Sequence, residues 1–108
     1  MLPYKACQVG DPVANIETPA LVLDLDAFER NLDLLMRQAG QMRVRPHAKS
    51  HKCPAIAHRQ MAKGAVGICC QKLSEAVVFA QAGLTDILIT NQVVGASKLA
   101  RLADLSQQ

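Results

Sequence analysis

The sequence predicts an α/β fold in which helices cover a parallel sheet, in the order β-α-β-α-β-α-β-α. The chain has 108 residues, of which 50% are hydrophobic but only 3% aromatic. A core must therefore consist of small aliphatic side chains, as in buried parallel strands and their helices. Apolar runs of strand length recur at intervals of about 20 to 25 residues, with helical patterns between them. This order fits either a small doubly wound sheet or the first units of a (β/α)8 barrel, which needs about 250 residues in all.

The first unit follows an irregular lead-in over residues 1–17, where prolines and a glycine interrupt any period. An apolar run at 19–23 predicts a strand. A helix is expected over 27–36, because acids at 24–26 can cap it and Gly40 can end it. The side chains expected to share one face of this helix are Phe28, Leu32, Leu35 and Met36.

The second unit begins with a short strand over 43–49, in which Pro46 also indicates a loop. Periodicity alone leaves this strand undecided. The helix expected after it covers 55–63, since Pro54 suits a first helical turn and Gly64 suits a stop.

The third unit joins a strand at 65–70 to a helix at 75–82, and the fourth joins a strand at 86–91 to a helix at 96–105. The residues that mark the helix ends are Ser74 as a cap, Gly83 as a stop and Gly95 before the last helix. The leucines expected to face inward from the last helix are Leu99, Leu102 and Leu105.

Composition and charge exclude several classes of protein. Lys and Arg number 12 against 9 Asp and Glu, a formal net charge of +3, which is far below the basic surface of nucleic-acid binders. No apolar run reaches the roughly 18 residues of a membrane span, and no secretory leader is recognisable. We therefore expect a cytoplasmic chain without a membrane partner. Free thiols are expected at the cysteines, with a disulfide or a zinc site left open; these are Cys7, Cys53, Cys69 and Cys70.

Polar residues that could carry chemistry follow three of the predicted strands. In parallel α/β folds, ligands bind at the carboxyl ends of the strands, so these residues are expected at one edge. The residues in question are His47, Lys49, Ser50, His51 and Lys52 after one strand, Gln71 and Lys72 after the next, and Asn91 and Gln92 after the one beyond.

The segment 43–52 contains six side chains of cationic type and allows several interpretations. A nucleic-acid patch is disfavoured because no aromatic residue interleaves the charges. The pair His47 and His51 has metal-ligand spacing only on a helix, which Pro46 argues against. A lysine at a strand end, near other cations, could instead capture a carbonyl compound as a Schiff base, with Lys49 partly desolvated. Solvated loop charges without a function remain open.

Four separated blocks resemble a known family. They are TPALVLDLD at 18–26, RPHAKSHK at 45–52, GICCQKLSEA at 67–76 and DILITN at 86–91. Their order and spacing along residues 18–105 resemble the amino-terminal part of the fold-type III pyridoxal-phosphate enzymes. Within these the likeness is to the D-threonine aldolase and D-serine dehydratase branch.

The resemblance implies a fold and a site. Residues 18–108 would be the first β/α units of a TIM-like barrel similar to the alanine racemase amino-terminal domain, and the β-rich second domain of the family lies outside these residues. Lys49 would form the Schiff base with pyridoxal 5'-phosphate and Gln71 would lie beside the cofactor. Arg45 and His47 would shape the surroundings of the lysine, and Asn91 would line the pocket. A divalent metal is implied only for the full-length enzyme.

The activity implied is that of a lyase acting on D-3-hydroxy amino acids, D-threonine or D-3-hydroxyaspartate, by cleavage of the Cα–Cβ bond. A D-serine dehydratase or a racemase of the same fold is an alternative, and so is a pyridoxal-phosphate carrier without catalysis. The implied partners are a small D-amino acid and, at full length, a second copy of the chain. The 108 residues by themselves are expected to be inactive.

Overall fold

Helices and short parallel strands alternate along the computed structural model, which describes residues 6–107. One 3-10 turn, Val13–Asn15, lies in the predicted lead-in, whose first five residues fall outside the described range. The regular elements that follow are α1 (Leu25–Ala39), α2 (Pro54–Ala62), β1 (Ile68–Cys70), α3 (Leu73–Gln81), β2 (Ile87–Ile89) and α4 (Ala96–Leu105). Within residues 6–107, all four predicted helices form, whereas only the last two predicted strands do.

The sheet consists of β1 and β2, which run parallel with α3 as the connection between them. Ile68 lies opposite Ile87 and Cys70 lies opposite Ile89. The third and fourth predicted strands are therefore confirmed, although both are shorter than the apolar runs that predicted them.

The predicted strand at 43–49 runs along the other side of β1 but forms one bridge only, between His47 and Cys69. The Cys69 N–H donates to Pro46 O at 2.7 Å, and the Ala48 N–H donates to Cys69 O at 2.8 Å. Pro46 has no N–H of its own, so the ladder is interrupted at that residue. The segment is extended and parallel to β1, as a preceding β/α unit would be.

The predicted strand at 19–23 is wrong for the described structure. These residues are exposed, Leu21 to 83%, and they form no strand. A strand is stable only beside another strand, because its N–H and C=O groups otherwise stay unpaired. Within the described residues, no neighbouring strand lies next to this run.

Helix α1 begins at the predicted cap and ends at the predicted stop. The Ala27 N–H donates to Asp24 Oδ1 at 2.9 Å, which satisfies one of the free N–H groups of the first turn. Gly40 ends the helix with φ of 58°, a conformation that glycine adopts at little cost. On the predicted inner face, Leu32 is buried, but Leu35 is 44% exposed. Leu35 is thus only partly covered within the described residues, and that part of the prediction is wrong.

Helix α2 has Pro54 at its start, as predicted. Ion pairs join it to α1. Lys63 Nζ lies 3.2 Å from Glu29 Oε2 and 2.6 Å from Asp33 Oδ1, and Arg59 also pairs with Glu29. The polar faces of the two helices are thus tied together at two successive turns.

The start of α3 differs from the prediction. The helix begins at Leu73, so Ser74 lies inside its first turn and caps nothing. The cap position is Lys72, which forms no side-chain capping bond. Instead, the Gln71 N–H donates to Glu75 Oε2 at 2.9 Å, so the acid of the first turn holds the incoming chain. Leu73 is buried, which favours its inclusion in the helix.

Helix α4 has the predicted bounds, but Leu99 is 52% exposed and does not face inward. Leu105 packs against the core, and Leu102 is half-buried. No helix within residues 6–107 is long and apolar enough to cross a membrane.

The core lies between β1 and the helices α2 and α3. It consists mainly of small aliphatic and sulfur side chains around one ring, as the composition predicts. Its members are Ala48, Ala57, Ile68, Cys70, Ala76, Phe79 and Leu84. The four cysteines are free thiols, and Cys69 and Cys70 are buried.

Candidate functional site

The carboxyl ends of three parallel segments meet at one edge of the sheet. The Thr90 N–H, just after β2, donates to Cys70 O at 2.9 Å, at the end of β1. His47, in the segment before β1, places its Nε2 2.9 Å from Thr90 Oγ1. Three stretches that lie 20 or more residues apart in sequence are thereby joined, and Gln71 and Asn91 directly follow the joined positions.

Lys49 lies in a tight turn at this edge. The turn begins at the fully buried Ala48, whose carbonyl oxygen accepts the Lys52 N–H at 2.8 Å. The Lys49 N–H donates to His47 Nδ1 at 3.2 Å. Its side chain is exposed, and within residues 6–107 its amine has no ion pair or hydrogen bond. The expected partial desolvation of Lys49 is therefore wrong for the described chain, because no element covers this edge.

The two neighbours of Lys49 in the cationic segment have other roles. Lys52 Nζ lies 3.4 Å from Glu75 Oε1 and is thus occupied by an ion pair. The His51 ring packs edge-on against Phe79, and its Nδ1 accepts the Cys53 N–H at 3.1 Å. Burial lowers the pKa of His51. This ring belongs to the core side of the turn.

Glu75 links the lysine turn to Gln71. One carboxylate oxygen pairs with Lys52 and the other accepts the Gln71 N–H. Burial alone would raise the pKa of Glu75, but the hydrogen bonds from backbone N–H groups and the Lys52 ammonium outweigh it and leave the pKa below its ordinary value. The sequence analysis missed this residue; its signal was an acid three positions after the residue at which α3 is capped.

Arg45 does not shape the surroundings of Lys49, contrary to expectation. Its guanidinium pairs with Asp86 at 2.8 and 2.9 Å and donates to the Asp86 carbonyl oxygen at 3.1 Å. This hydrogen bonding lowers the pKa of Asp86. Asp86 directly precedes β2, and Gly67, which lies beside the Arg45 guanidinium, directly precedes β1. Arg45 therefore reaches the amino ends of the strands, at the edge opposite Lys49.

A cleft of about 430 Å³ opens between the first turns of α3 and α4. This volume is within the range of small-ligand sites. Among its lining residues, three are cationic and none is acidic, so the cleft favours an anionic group. The polar residues that line it are Gln71, Lys72, Ser74, Asn91, Gln92, Lys98 and Arg101. Gln71, Lys72, Asn91 and Gln92 are therefore brought together as predicted, whereas Lys49 is not among the lining residues.

The arrangement can be compared with known proteins. The family model described as "Alanine racemase, N-terminal domain" matches residues 23–107. The chain belongs to the alanine racemase N-terminal domain family. The resemblance seen in the sequence is thus confirmed, and the two strands with their helices are a part of the barrel-like fold of this family.

Several members of the alanine racemase N-terminal domain family are close in sequence. The chain is 56% identical over 102 residues to a D-threonine aldolase of Arthrobacter sp, covering 93% of this chain and 27% of that enzyme. It is 46% identical over 99 residues to a 3-hydroxy-D-aspartate aldolase of Paracoccus denitrificans, with 89% and 26% covered. A D-threo-3-hydroxyaspartate dehydratase of Delftia sp. (strain HT23) is 42% identical over 80 residues, with 72% and 21% covered.

A solved family member has the same backbone course. The crystal structure of D-threonine aldolase from Filomicrobium marinum superposes with a TM-score of 0.91 at 60% identity, covering 96% of this chain and 29% of that one. The chain thus spans about a quarter of the length of the curated relatives it matches. The predicted fold, the first β/α units of a barrel, is therefore correct to the extent that the chain is a partial domain of this family. It is observed here as a small α/β piece.

The residues at the shared edge fit the cofactor of this family, pyridoxal phosphate. A primary amine without a carboxylate partner in the described chain, Lys49, can take up a carbonyl group. The adjoining cleft offers amides and cations to an anionic group. The described residues do not fit a divalent metal in the same way, because residues 6–107 contain no group of three His, Cys, Asp or Glu side chains that could hold one.

Proposed function

We propose that this chain forms the cofactor-lysine part of a pyridoxal-phosphate-dependent lyase that cleaves the Cα–Cβ bond of D-3-hydroxy amino acids. The observation that carries the proposal is the position of Lys49: an exposed, unpaired amine, within the described chain, at the edge where three parallel segments end. The reaction class is supported by the membership of the chain in the alanine racemase N-terminal domain family and by the likeness of the chain to two aldolases. We place the barrel part at residues 18–108, after the lead-in at 1–17.

The residues of the chain have distinct roles in this proposal. Lys49 would hold pyridoxal phosphate through its Nζ, the primary amine that can take up the carbonyl group of the cofactor. Gln71 lies beside the cofactor, where its amide can donate or accept a hydrogen bond. Pyridoxal phosphate, when bound, supplies the electron sink for breaking a bond at Cα. We assign no divalent metal to residues 6–107, and a metal stays an expectation for the full-length enzyme.

Of the relatives named above, the Arthrobacter D-threonine aldolase is 56% identical to this chain and the dehydratase is 42% identical. Both relatives are named for amino acids of D configuration with a hydroxyl group on Cβ. We therefore favour cleavage into glycine and an aldehyde, and keep loss of water from the same substrate class as the second candidate.

Lysine mapping tests the cofactor site. The chain is incubated with pyridoxal phosphate, reduced with borohydride and digested, and the modified lysines are quantified by mass spectrometry. We expect modification chiefly at Lys49, above Lys52 and Lys63, whose amines are held by carboxylates. Lys49→Ala should abolish the selective modification, and the control Lys63→Ala, at an ion-paired lysine outside the turn, should retain it. Equal modification of Lys49 and the paired lysines would contradict the proposal.

Product analysis tests the reaction class, on protein produced from the complete reading frame of the gene. D-threonine and D-3-hydroxyaspartate are supplied with pyridoxal phosphate and with divalent cations. Glycine with an aldehyde indicates the aldolase, and ammonia with a 2-oxo acid indicates the dehydratase. Selective Lys49 modification without turnover of either substrate would overturn the lyase and leave a cofactor carrier.

A further inference from the structure

A continuous hydrogen-bond relay connects the end of β1 to the amide of Lys49. Thr90 Oγ1 donates to Cys70 O at 3.2 Å, His47 Nε2 lies 2.9 Å from Thr90 Oγ1, and the Lys49 N–H donates to His47 Nδ1 at 3.2 Å. The relay crosses from the second strand to the segment that carries the lysine. It ends on the backbone of Lys49 itself.

With a neutral His47 ring, the three contacts are compatible with one direction for each proton. His47 Nδ1 accepts the amide proton of Lys49, so this nitrogen carries no proton of its own. In the neutral ring the proton then resides on Nε2, which donates to Thr90 Oγ1. The hydroxyl, having accepted at oxygen, uses its own proton for Cys70 O. Each atom has a complementary partner, and reversal of any bond would leave two donors or two acceptors facing each other.

The relay has a counterpart on the other side of the turn. Lys52 pairs with Glu75, which also accepts the Gln71 N–H. The turn is therefore attached before Lys49 to Thr90, just after β2, and after Lys49 to Glu75, in the first turn of α3. The first attachment includes a bond to the Lys49 amide, whereas the second acts through Lys52.

We propose that Thr90 is a positioning residue: through His47 it fixes the orientation of the turn from which Lys49 binds the cofactor. This inference rests on the proposed function. Within the described chain, Thr90 makes no hydrogen bond to the Lys49 side chain. It supplies the acceptor that holds the His47 ring, which in turn holds the Lys49 backbone. A less ordered turn spends less time in the conformation that captures a carbonyl compound.

The test compares the rates at which pyridoxal phosphate modifies individual lysines. The chain is exposed to pyridoxal phosphate for a series of times, quenched with borohydride and mapped, and the rate at Lys49 is divided by the rate at Lys63. Lys63 follows α2, outside both the relay and the cleft, so this ratio corrects for changes in reagent or global stability. Circular dichroism establishes that each variant is folded to the same extent as the original chain.

Three variants separate the effect of the Thr90 hydroxyl group from the effect of side-chain shape. Thr90→Val keeps the branched shape but can neither accept from His47 nor donate to Cys70, and we expect the ratio to fall on the order of tenfold, as for two lost hydrogen bonds. Thr90→Ser keeps the hydroxyl and should restore the ratio to within about twofold. Thr85→Val, an exposed threonine without a hydrogen bond in the described chain, is the control and should not change it.

The outcomes separate this inference from the proposed function. If Lys49 is selectively modified in the original chain and Thr90→Val retains the ratio, the relay is not a positioning device although the cofactor site stands. A Thr90→Ser variant as slow as Thr90→Val would also overturn the inference, since shape rather than hydrogen bonding would then matter. If the original chain shows no selectivity for Lys49, the proposed function itself fails.

Discussion

Gly67 shows how a single residue determines the arrangement at the amino ends of the strands. A Cβ at this position would lie 2.5 Å from Asp86 O and even closer to the Arg45 guanidinium. The space that a side chain would need is thus filled by the ion pair that joins the segment before β1 to the start of β2.

We predict that Gly67→Ala separates Arg45 from Asp86 and lowers the free energy of unfolding by about 1–3 kcal/mol, as overpacking usually does. Urea unfolding measures this change. The loss of unfolding free energy caused by Gly67→Ala should be smaller when Arg45→Ala is already present, because the guanidinium that the new methyl group would meet is then absent. An unchanged unfolding midpoint for Gly67→Ala would show that the guanidinium approaches Gly67 less closely than described.

A second prediction concerns Glu75 and pH. Its pKa in the folded chain lies below the ordinary value, so the folded state binds fewer protons there than the unfolded state does. The stabilisation that ionised Glu75 contributes is present above the pKa of Glu75 in the unfolded chain, about 4.3. It is lost as the pH falls through the pKa of Glu75 in the folded chain. Glu75→Gln should therefore reduce the loss of stability between pH 6 and pH 3.5, as measured by urea unfolding.

The remaining pH dependence of that variant should come from Glu29 and Asp86, whose pKa values are also lowered by their cationic partners. A control is Glu17→Gln, which removes an equal charge from the exposed lead-in and leaves the ion pair of Glu75 with Lys52 in place. If Glu75→Gln and the original chain lose stability in parallel, the ion pair with Lys52 does not hold the turn.

At the level of residues, the sequence correctly brings His47, Gln71 and Asn91 to one edge, because the carboxyl ends of parallel strands must meet there. Thr90 and Glu75 could not be assigned in the same way. Their roles depend on which carbonyl and which N–H come within hydrogen-bond distance, and residue type alone does not determine that.

At the level of elements, local capping chemistry predicts helix ends well and strands poorly. Asp24 and Gly40 delimit α1 because both act within a few residues of themselves. The run at 19–23 has strand composition but no neighbour in the described chain, and a strand depends on its neighbour. Ser74 fails as a cap because burial of Leu73 starts α3 two residues earlier than predicted.

The cap of α1 provides a third prediction. Asp24→Ala removes the acceptor of the Ala27 N–H and should destabilise the chain by about 1 kcal/mol. The matched control is Asp26→Ala, which removes the same charge from the first turn without a capping bond. Thermal unfolding followed by circular dichroism measures both. Equal losses for the two variants would mean that charge near the helix end, rather than the cap, stabilises α1.

At the level of the whole molecule, burial should be visible in thiol reactivity. Burial raises the pKa of Cys70 to about 11, with Glu75 and Cys69 adding to the effect. At pH 8 the thiolate fraction of Cys70 is then about a hundredfold below that of an ordinary cysteine. Cys7 is exposed.

We therefore predict that iodoacetamide modifies Cys7 in the folded chain and leaves Cys70 intact until urea unfolds it. Mass spectrometry of the digested chain gives the extent at each cysteine. Similar rates at Cys7 and Cys70 without urea would contradict the described core, since Cys70 is one of its three largest fully buried side chains.

The fold class follows from the sequence because the alternation of apolar runs and helical patterns is a property of the whole chain. The extent of the sheet does not follow, since several apolar side chains of the described residues remain exposed, among them Leu21, Leu23 and Leu25. Pairing of these residues depends on neighbours that a reading of local pattern does not include.

In the proposed site, Lys49 holds pyridoxal phosphate at the edge where His47, Gln71 and Thr90 meet. A crystal structure of the chain after incubation with pyridoxal phosphate and borohydride reduction tests this binding mode. We predict electron density that continues from Lys49 Nζ into a pyridine ring beside Gln71, with the bond between His47 and Thr90 intact. Continuous density at Lys72 or Lys98 instead, with Lys49 unmodified, would contradict the claim.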